Sequence, residues 1–252
     1  MKIEVHADRS GVAEAAANKI GASLQAAPES GMGVIFATGV SQLAVLRALT
    51  QAPDIPWGNI TGFHLDEYIG IDGNHPASFR HYLKENLTDK VAMRRFYAID
   101  GSAADPGEVC RQYAAHLAEV QPSLCLLGVG ENGHLAFNDP GEAELNDPLD
   151  VKIVHLDGVS RQQQVAEGWF PTLQDVPSRA ITVTIPAILR VPRLIVSVPG
   201  KRKAGIVRRM VEDPISAACP ATWLRLHAGA TVFLDEESAS ELNLAALATP
   251  ER

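Results

Sequence analysis

The sequence has few cysteines, no excess of positive charge and no long hydrophobic run, and each absence excludes a class of protein. Cys110, Cys125 and Cys219 are odd in number, widely separated and outside any C-x-x-C pair, so a disulfide framework is not expected. The formal net charge of −8 argues against binding to nucleic acid or an anionic membrane. No apolar stretch reaches membrane-spanning length, and the first residues lack the apolar core of a signal peptide. We therefore expect a cytoplasmic protein.

The sequence contains instead a regular alternation of short apolar runs and helical patterns. Its 252 residues, 46% of them hydrophobic, can bury a substantial core. Apolar residues recur every three or four positions in segments 12–24 and 43–49, and a helix is predicted to start after Asp105, an N-cap followed by proline. This alternation predicts an α/β fold with a mostly parallel sheet flanked by helices on both faces. The candidate strands are 33–37, 60–65, 124–127, 181–185, 194–198 and 231–234.

One segment, residues 141–178, departs from this alternation. It contains three prolines, many acids and an isolated Trp-Phe pair, and a short helix is predicted near 160–167. Loops of this length inside compact domains are often lids or binding loops, and a plain surface excursion is the alternative. Because no linker composition interrupts the chain, we expect a single domain over residues 1–252.

A glycine-rich run follows the predicted strand 124–127. Gly128, Gly130 and Gly133 match the dinucleotide fingerprint G-x-G-x-x-G, but that fingerprint requires a helix to begin inside the glycines. Here the run continues into loop-forming residues at 138–141. We therefore predict a catalytic loop around the histidine of this run rather than a nucleotide site.

Two strand ends are suited to bind an anion, because ligands of open α/β sheets bind outside the carboxyl ends of the strands. Thr38, Gly39 and Ser41 lie at a predicted helix start, where N–H groups are unpaired, although helix capping explains Ser41 equally well. Further along, Lys201–Lys203 places three cations at a helix N-terminus, where they oppose the macrodipole unless an anion is nearby. A solvated basic turn is the alternative for at least one of them.

Two further positions carry groups suited to acid–base chemistry. The acid pair that begins at Asp66 follows a predicted strand; such acids commonly face water, but a partly buried carboxylate can remove a proton from carbon next to a carbonyl. A lone histidine such as His134 is most often structural, yet Asn132 and Asp139 beside it can fix its tautomer and stabilise its charge. Zinc-ligand spacings, a serine-hydrolase elbow and an ATPase phosphate loop are absent from the sequence.

In chain order, four motifs resemble those of the glucosamine-6-phosphate deaminase family, which is related to the 6-phosphogluconolactonases. They are Ala37-Thr-Gly-Val-Ser41, Leu65-Asp-Glu-Tyr68, Gly128-Val-Gly-Glu-Asn-Gly-His-Leu-Ala-Phe-Asn-Asp-Pro140 and Gly200-Lys-Arg-Lys-Ala204. Weaker similarity near the C-terminus extends the resemblance over nearly the whole chain. Tyr68 after the acid pair, and Leu-Ala-Phe-Asn after His134, favour the deaminase branch over the lactonase branch.

The resemblance implies a Rossmann-like fold, a phosphosugar substrate and no cofactor. It implies that Asp66 is the base that moves a proton between the first two sugar carbons, and that His134 helps to open the sugar ring. Asn132 and Asp139 match positions that support the histidine. The residues that match the phosphate pocket are Thr38, Gly39, Ser41 and Lys203.

Three departures from the family pattern bear on these assignments. Asn132 stands where well-known members have Asp, and Asp139 stands where they have Glu. The family also supplies an arginine to the phosphate from the lid segment; Arg161 is the nearest candidate here, in a different register. These changes leave the reaction type in place and the identity of the amino sugar open.

We therefore expect an amino-sugar phosphate deaminase/isomerase that converts glucosamine 6-phosphate, or a close relative, and water to fructose 6-phosphate and ammonia. The alternatives are a lactone hydrolase of the 6-phosphogluconolactonase type, which needs only water activation by His134, and a non-catalytic sugar-phosphate sensor, which has little need for Asp66 and His134 together. The expected partner is a small phosphosugar, with no nucleic acid, membrane or metal. The sequence leaves a homo-oligomer open.

Overall fold

The computed structural model describes residues 1–243, which form two β-sheets and their flanking helices. The strands are β1 (Lys2–His6), β2 (Met32–Phe36), β3 (Ile60–His64), β4 (Asp66–Tyr68), β5 (Arg95–Phe96), β6 (Leu124–Leu127), β7 (Val151–His155), β8 (Arg179–Val183), β9 (Arg193–Val198) and β10 (Ala230–Asp235). The α-helices are α1 (Arg9–Gln25), α2 (Val40–Gln51), α3 (Phe79–Leu83), α4 (Pro106–Val120), α5 (Gly158–Ala166), α6 (Ile185–Leu189), α7 (Ala204–Glu212) and α8 (Glu236–Ala239).

The larger sheet contains seven strands in the order β1-β10-β9-β6-β2-β3-β5, and all of its pairs are parallel. Every residue of β2, β3 and β6 is buried. A strand that is buried on both sides of its pleat requires a covering layer on each face of the sheet, and helices provide that cover in parallel α/β folds. The predicted mostly parallel α/β fold is therefore confirmed.

Five of the six predicted strands lie in the larger sheet with bounds within one residue of the prediction. The strand predicted at 181–185 differs: β8 ends at Val183 and pairs antiparallel with β4 and β7 in a separate three-stranded sheet. The strand ends there because Thr184 becomes the N-cap of α6, with Pro186 in its first turn. An apolar run of strand length does not indicate which sheet the strand will join.

Four strands were not predicted from the sequence. β4 and β5 contain three and two residues, too few to show a period. β1 and β7 contain charged or polar residues among their apolar ones, and for that reason neither forms a continuous apolar run. Among the helices, the cap at Asp105 is confirmed, because its side chain accepts a hydrogen bond from the backbone N–H of Glu108.

The segment 141–178 contains β7 and α5, so the predicted short helix is present. Asp157 is the N-cap of α5 and accepts a hydrogen bond from the N–H of Ser160. Phe170, Val154 and Leu156 of the segment pack with Tyr68 of β4 in a second, smaller hydrophobic core. This core joins the segment to the three-stranded sheet. None of the helices in the described residues is long and apolar enough to cross a membrane.

The short strand β4 is held in place by the side chain of Glu67. Its carboxylate accepts four hydrogen bonds, from the backbone N–H groups of Tyr68, Phe79 and Arg80 at 3.0, 3.1 and 2.9 Å and from the hydroxyl of Ser78 at 2.7 Å. Successive side chains of a strand point to opposite faces. Glu67 therefore points to the start of α3, and the preceding residue, Asp66, points the other way.

Replacement of Glu67 tests this role. Glu67→Ala leaves four donors without their acceptor in a buried position, and we expect a loss of about 3 kcal/mol in the free energy of unfolding, measured by urea denaturation. Glu85→Ala, which removes a carboxylate from the exposed surface after α3, is the control and should change stability by less than about 0.5 kcal/mol. Similar losses in the two variants would contradict a special role for Glu67.

Candidate active site

A cleft of about 550 Å³ opens at the carboxyl ends of β2, β3, β6 and β9. This volume is within the range of small-molecule binding sites. The predicted site residues that line it are Thr38, Gly39, Ser41, Asp66, His134 and Lys203. The other two, Asn132 and Asp139, do not line the cleft but contact His134. The structure thus brings all eight predicted residues to one place.

The turn between β2 and α2 presents backbone N–H groups to the cleft. Gly39 is the N-cap of α2 with a φ of 96°, a conformation that favours glycine. No side chain caps this helix, so the capping explanation for Ser41 is wrong, and its hydroxyl instead accepts a hydrogen bond from the side-chain amide of Gln42 at 3.2 Å. The hydroxyl of Tyr82, in α3, donates a hydrogen bond to the carbonyl of Gly39 at 2.9 Å, which stabilises the turn.

The three cations after β9 have different environments. Lys203 lines the cleft and donates one hydrogen bond to the carbonyl of Val129 at 2.8 Å; burial lowers the pKa of its ammonium group. Arg202 is paired with Glu131 at 2.6 Å. Lys201 is exposed and donates to the hydroxyl of Ser240 at 2.8 Å. Lys201 therefore fits the alternative of a solvated basic turn, whereas Lys203 fits an anion site.

Asp66 is a buried carboxylate that faces the cleft. It is 7% exposed, and within residues 1–243 neither of its side-chain oxygens has a hydrogen-bond partner. Burial, together with the neighbouring charge of Glu67, raises the pKa of Asp66 well above its usual range. A carboxylate whose charged form is poorly stabilised and that meets an open cavity is suited to accept a proton from a ligand.

The ring of His134 lies directly over Gly130, where any side chain would overlap it. Its Nδ1 atom is 3.0 Å from Oδ1 of Asp139 and 2.9 Å from the hydroxyl of Ser160. Burial acts to raise the pKa of Asp139, but hydrogen bonds and charge from His134, with hydrogen bonds from Asn132 and Ser160, lower it to about 2. Asp139 is therefore an ionised acceptor, so Nδ1 carries the proton and Nε2 offers its lone pair to the cleft.

Asn132 connects the acids behind His134. Its Oδ1 accepts the backbone N–H of His134 at 3.0 Å, and its Nδ2 donates to Asp139 at 3.0 Å and to Asp157 at 2.8 Å. An acid at position 132 would place an oxygen against two carboxylates, whereas an amide satisfies both. Asp157 and Ser160 were not identified from the sequence, because only the packing of α5 brings Asp157 to Asn132 and Ser160 to His134.

The segment 141–178 contributes one wall of the cleft. Gln163, Gln164, Ala166, Glu167 and Trp169 line it, and none of them is a cation. Arg161, the residue nearest in sequence to the family's lid arginine, does not line the cleft; its guanidinium donates to the carbonyls of Leu173 and Val176 at 2.6 and 3.0 Å. In the described part of the chain, no group of three or more His, Cys, Asp or Glu side chains is arranged to hold a metal.

These features define an α/β protein with a cleft of small-molecule size at the carboxyl ends of its parallel strands. The cleft is bordered by the uncapped N-terminal turn of α2, a buried carboxylate and a histidine–carboxylate pair. The family model described as "Glucosamine-6-phosphate isomerases/6-phosphogluconolactonase" matches residues 7–233. The chain belongs to this family.

Individual relatives support the same assignment. The glucosamine-6-phosphate deaminase of Exiguobacterium sibiricum is 36% identical over 213 residues, which is 84% of this chain and 82% of the relative. That of Shewanella loihica is 33% identical over 96% of this chain and 90% of the relative. Among solved structures, a monomeric glucosamine-6-phosphate deaminase of the NagB superfamily is similar with a TM-score of 0.89 and 30% identity, over 96% of this chain and all of the other. The 6-phosphogluconolactonase of Trypanosoma brucei, at 21% identity and a TM-score of 0.79 over 96% of this chain and 98% of the other, shows the same fold.

The raised pKa of Asp66 has a measurable consequence for stability. Because the folded protein holds this proton more tightly than the unfolded chain does, ionisation of Asp66 costs stability as the pH rises from the unfolded pKa towards the folded one. We expect Asp66→Asn to unfold at the same temperature as the parent protein near pH 4 and at a higher temperature at pH 8. Thermal unfolding between these pH values checks this, with Glu144→Gln on the exposed surface as control. A temperature difference that does not grow with pH would show that the pKa is not raised.

A double-mutant cycle tests the arrangement behind His134. Asn132→Asp creates a third carboxylate against Asp139 and Asp157, and we expect it to lower the free energy of unfolding at pH 7 by about 2 kcal/mol. Asp157→Ser keeps a capping side chain for α5. When combined with Asn132→Asp, it should recover most of that loss, because only one neighbouring carboxylate remains. Strictly additive losses in the cycle would refute the repulsion.

Proposed function

We propose that this protein is an amino-sugar phosphate deaminase/isomerase that converts glucosamine 6-phosphate and water to fructose 6-phosphate and ammonia. The deaminases to which it is similar over most of their length support this proposal. The observation that carries it is the presence, in one cleft, of an unpartnered buried carboxylate at Asp66, the oriented imidazole of His134 and an anion-binding turn.

The substrate phosphate binds at the start of α2. Unpaired N–H groups in the first turn of a helix favour an anion, and the hydroxyls of Thr38 and Ser41 lie beside them on the cleft. Lys203, which follows β9, supplies positive charge to the same cleft, and its remaining N–H donors are free to contact phosphate oxygens. The phosphate is thereby fixed, and the sugar extends from it towards Asp66 and His134.

His134 opens the sugar ring by moving the proton between the carbon-1 hydroxyl and the ring oxygen. The lone pair of Nε2 accepts the hydroxyl proton and returns it to the ring oxygen, which leaves an aldehyde at carbon 1. The imidazole carries a positive charge in between, and Asp139 stabilises this charge through the Nδ1–H group at 3.0 Å. Asn132 and Ser160 hold Asp139 in the required orientation.

Asp66 then carries out the isomerisation. Its carboxylate removes the proton from carbon 2, whose acidity the aldehyde raises, and an enediol-type intermediate with the amino group on carbon 2 forms. The proton returns to carbon 1, which gives the imine of the ketose. Water hydrolyses this imine to fructose 6-phosphate and releases ammonia. Positioning of the substrate and a correctly placed general base each contribute several powers of ten in rate.

The segment 141–178 acts as the cover of this site. Its residues from Gln163 to Trp169 already form one wall of the cleft, so a sugar bound at the strand ends lies between them and the parallel sheet. We assign this role within a single deaminase-like domain.

Ammonia release from a panel of hexosamine 6-phosphates, followed by chromatographic identification of the sugar product, tests the reaction. In deuterated water, the parent protein should exchange the carbon-2 proton of the substrate. Asp66→Asn should lose this exchange and at least 1,000-fold in kcat while still binding the substrate. Asp89→Asn, on the exposed surface, is the matched control and should retain activity.

Three outcomes would separate the competing functions. Hydrolysis of 6-phosphogluconolactone without ammonia release from any hexosamine phosphate would replace the proposal with the lactonase reaction. Thermal stabilisation by hexose phosphates without turnover would replace it with a sensor. Carbon-2 exchange that persists in Asp66→Asn would leave the reaction in place and remove Asp66 from its role.

A further inference from the structure

Three cations line the cleft in the described part of the chain, and they differ in how they are engaged. Arg202 is neutralised by Glu131, and Lys203 gives one of its N–H donors to the carbonyl of Val129. Arg9 is in neither situation: within residues 1–243, its guanidinium forms no ion pair and no hydrogen bond, although it lines the same cleft. It is therefore the unengaged cation of the site.

Arg9 reaches the cleft from the edge of the sheet. It is the first residue of α1, directly after β1, and β1 is separated from β9 only by β10. Its side chain crosses this interval and lies against Gly200, where an added Cβ would be 2.9 Å from the guanidinium carbon. Gly200 immediately precedes the turn that carries Lys203. Arg9 thus packs against Gly200, and Lys203 belongs to the turn that follows Gly200, so the two cations lie near each other at the cleft.

Groups near Arg9 that could neutralise it are engaged elsewhere. The carboxylate of Asp235, at the end of the intervening strand, is fully buried and accepts the N–H groups of Gly200 and Ser238. Asp8 caps α1 by accepting the N–H of Gly11 at 2.8 Å. Arg9 also lies in the first turn of α1, where the helix dipole disfavours a cation. An anion bound in the cleft would relieve this unfavourable position.

The cover segment cannot supply this charge. Its residues on the cleft include the acid Glu167 and no cation, and Arg161 is bound to backbone carbonyls of the segment itself. A doubly charged phosphate held by neutral donors and Lys203 alone would keep excess negative charge near Glu167. Arg9, which lines the cleft from the side of the sheet, supplies a second positive charge that offsets this excess.

From these contacts we infer that Arg9 binds the phosphate group of the substrate, in place of an arginine from the cover segment. This inference rests on the proposed function for the identity of the sugar, but not for the anion. The guanidinium donates two N–H groups to phosphate oxygens on the side of Gly200, while the turn at Gly39 and Ser41 holds the opposite side. Arg9 is thus a binding residue for the 6-phosphate, and it takes no part in proton transfer.

Steady-state kinetics with glucosamine 6-phosphate and calorimetric titration with fructose 6-phosphate and with inorganic phosphate test this role. We expect Arg9→Gln to raise KM and to weaken the binding of both ligands by about tenfold or more, with kcat within about twofold of the parent value. Arg9→Lys keeps the charge but loses the planar fork, so it should recover part of the loss. Lys201→Gln removes the same charge from an exposed neighbour outside the cleft and should change KM and binding by less than twofold.

The outcomes for Arg9 and for the reaction can be distinguished. If the parent protein releases ammonia and Arg9→Gln matches Lys201→Gln in KM and in phosphate binding, the role of Arg9 is wrong and the proposed function stands. If ammonia is not released, but fructose 6-phosphate and inorganic phosphate bind and Arg9→Gln selectively weakens both, Arg9 is a phosphate ligand and the proposed reaction is wrong. A fall in kcat with unchanged KM would also overturn the binding role.

Discussion

Parallel hydrogen bonding of the central strands is the constraint on which the site depends. Because β9, β6, β2 and β3 run in the same direction and are neighbours in the sheet, their carboxyl ends emerge along one edge, about 4.8 Å apart from strand to strand. The residues that follow these strands therefore meet at that edge, although they are distant in the sequence. Lys203, His134, Ser41 and Asp66 lie in one cleft for this reason, although more than 160 positions separate the first and last of them in the chain.

The carboxylates in and around the cleft are of two kinds, which differ in the number of hydrogen-bond donors around them. Glu67 and Asp139 are each surrounded by donors, which fixes their orientation. Asp66 has no such donors in the described residues and is destabilised in its charged form. Carboxylates of the first kind are held rigidly, and the second kind is the one to which the proposed function assigns proton transfer. The amide of Asn132 belongs to the rigid set, since it lets Asp139 and Asp157 lie close together without mutual repulsion.

Much of this could be predicted from the sequence, because strand ends and turns have local signatures. The runs before Thr38, Asp66 and Gly128 are apolar and are followed by glycine or acids, so their positions at an edge of a parallel sheet follow from topology. The residues that were missed depend on packing. Ser160 reaches His134, and Asp157 reaches Asn132, only because α5 packs behind the glycine loop. Glu67 and Asp66 differ in their surroundings because side chains alternate along the three-residue strand β4. Arg9 was missed because β1, with three polar residues in five, was not recognised as a strand, and so its end was not considered.

The antiparallel pairing of β4 has a mechanical consequence. β4 carries Asp66 and is bonded to β8, and β8 is bonded to β7, which leads after two residues into α5. Asp66 and α5, whose Ser160 contacts His134, are therefore both connected to the three-stranded sheet, whereas the turn at Gly39 follows a strand of the parallel sheet. Under the proposed function, a tilt of the three-stranded sheet relative to the parallel sheet would change the distance from Asp66 to a phosphate bound at Gly39, and it would move Ser160 relative to His134.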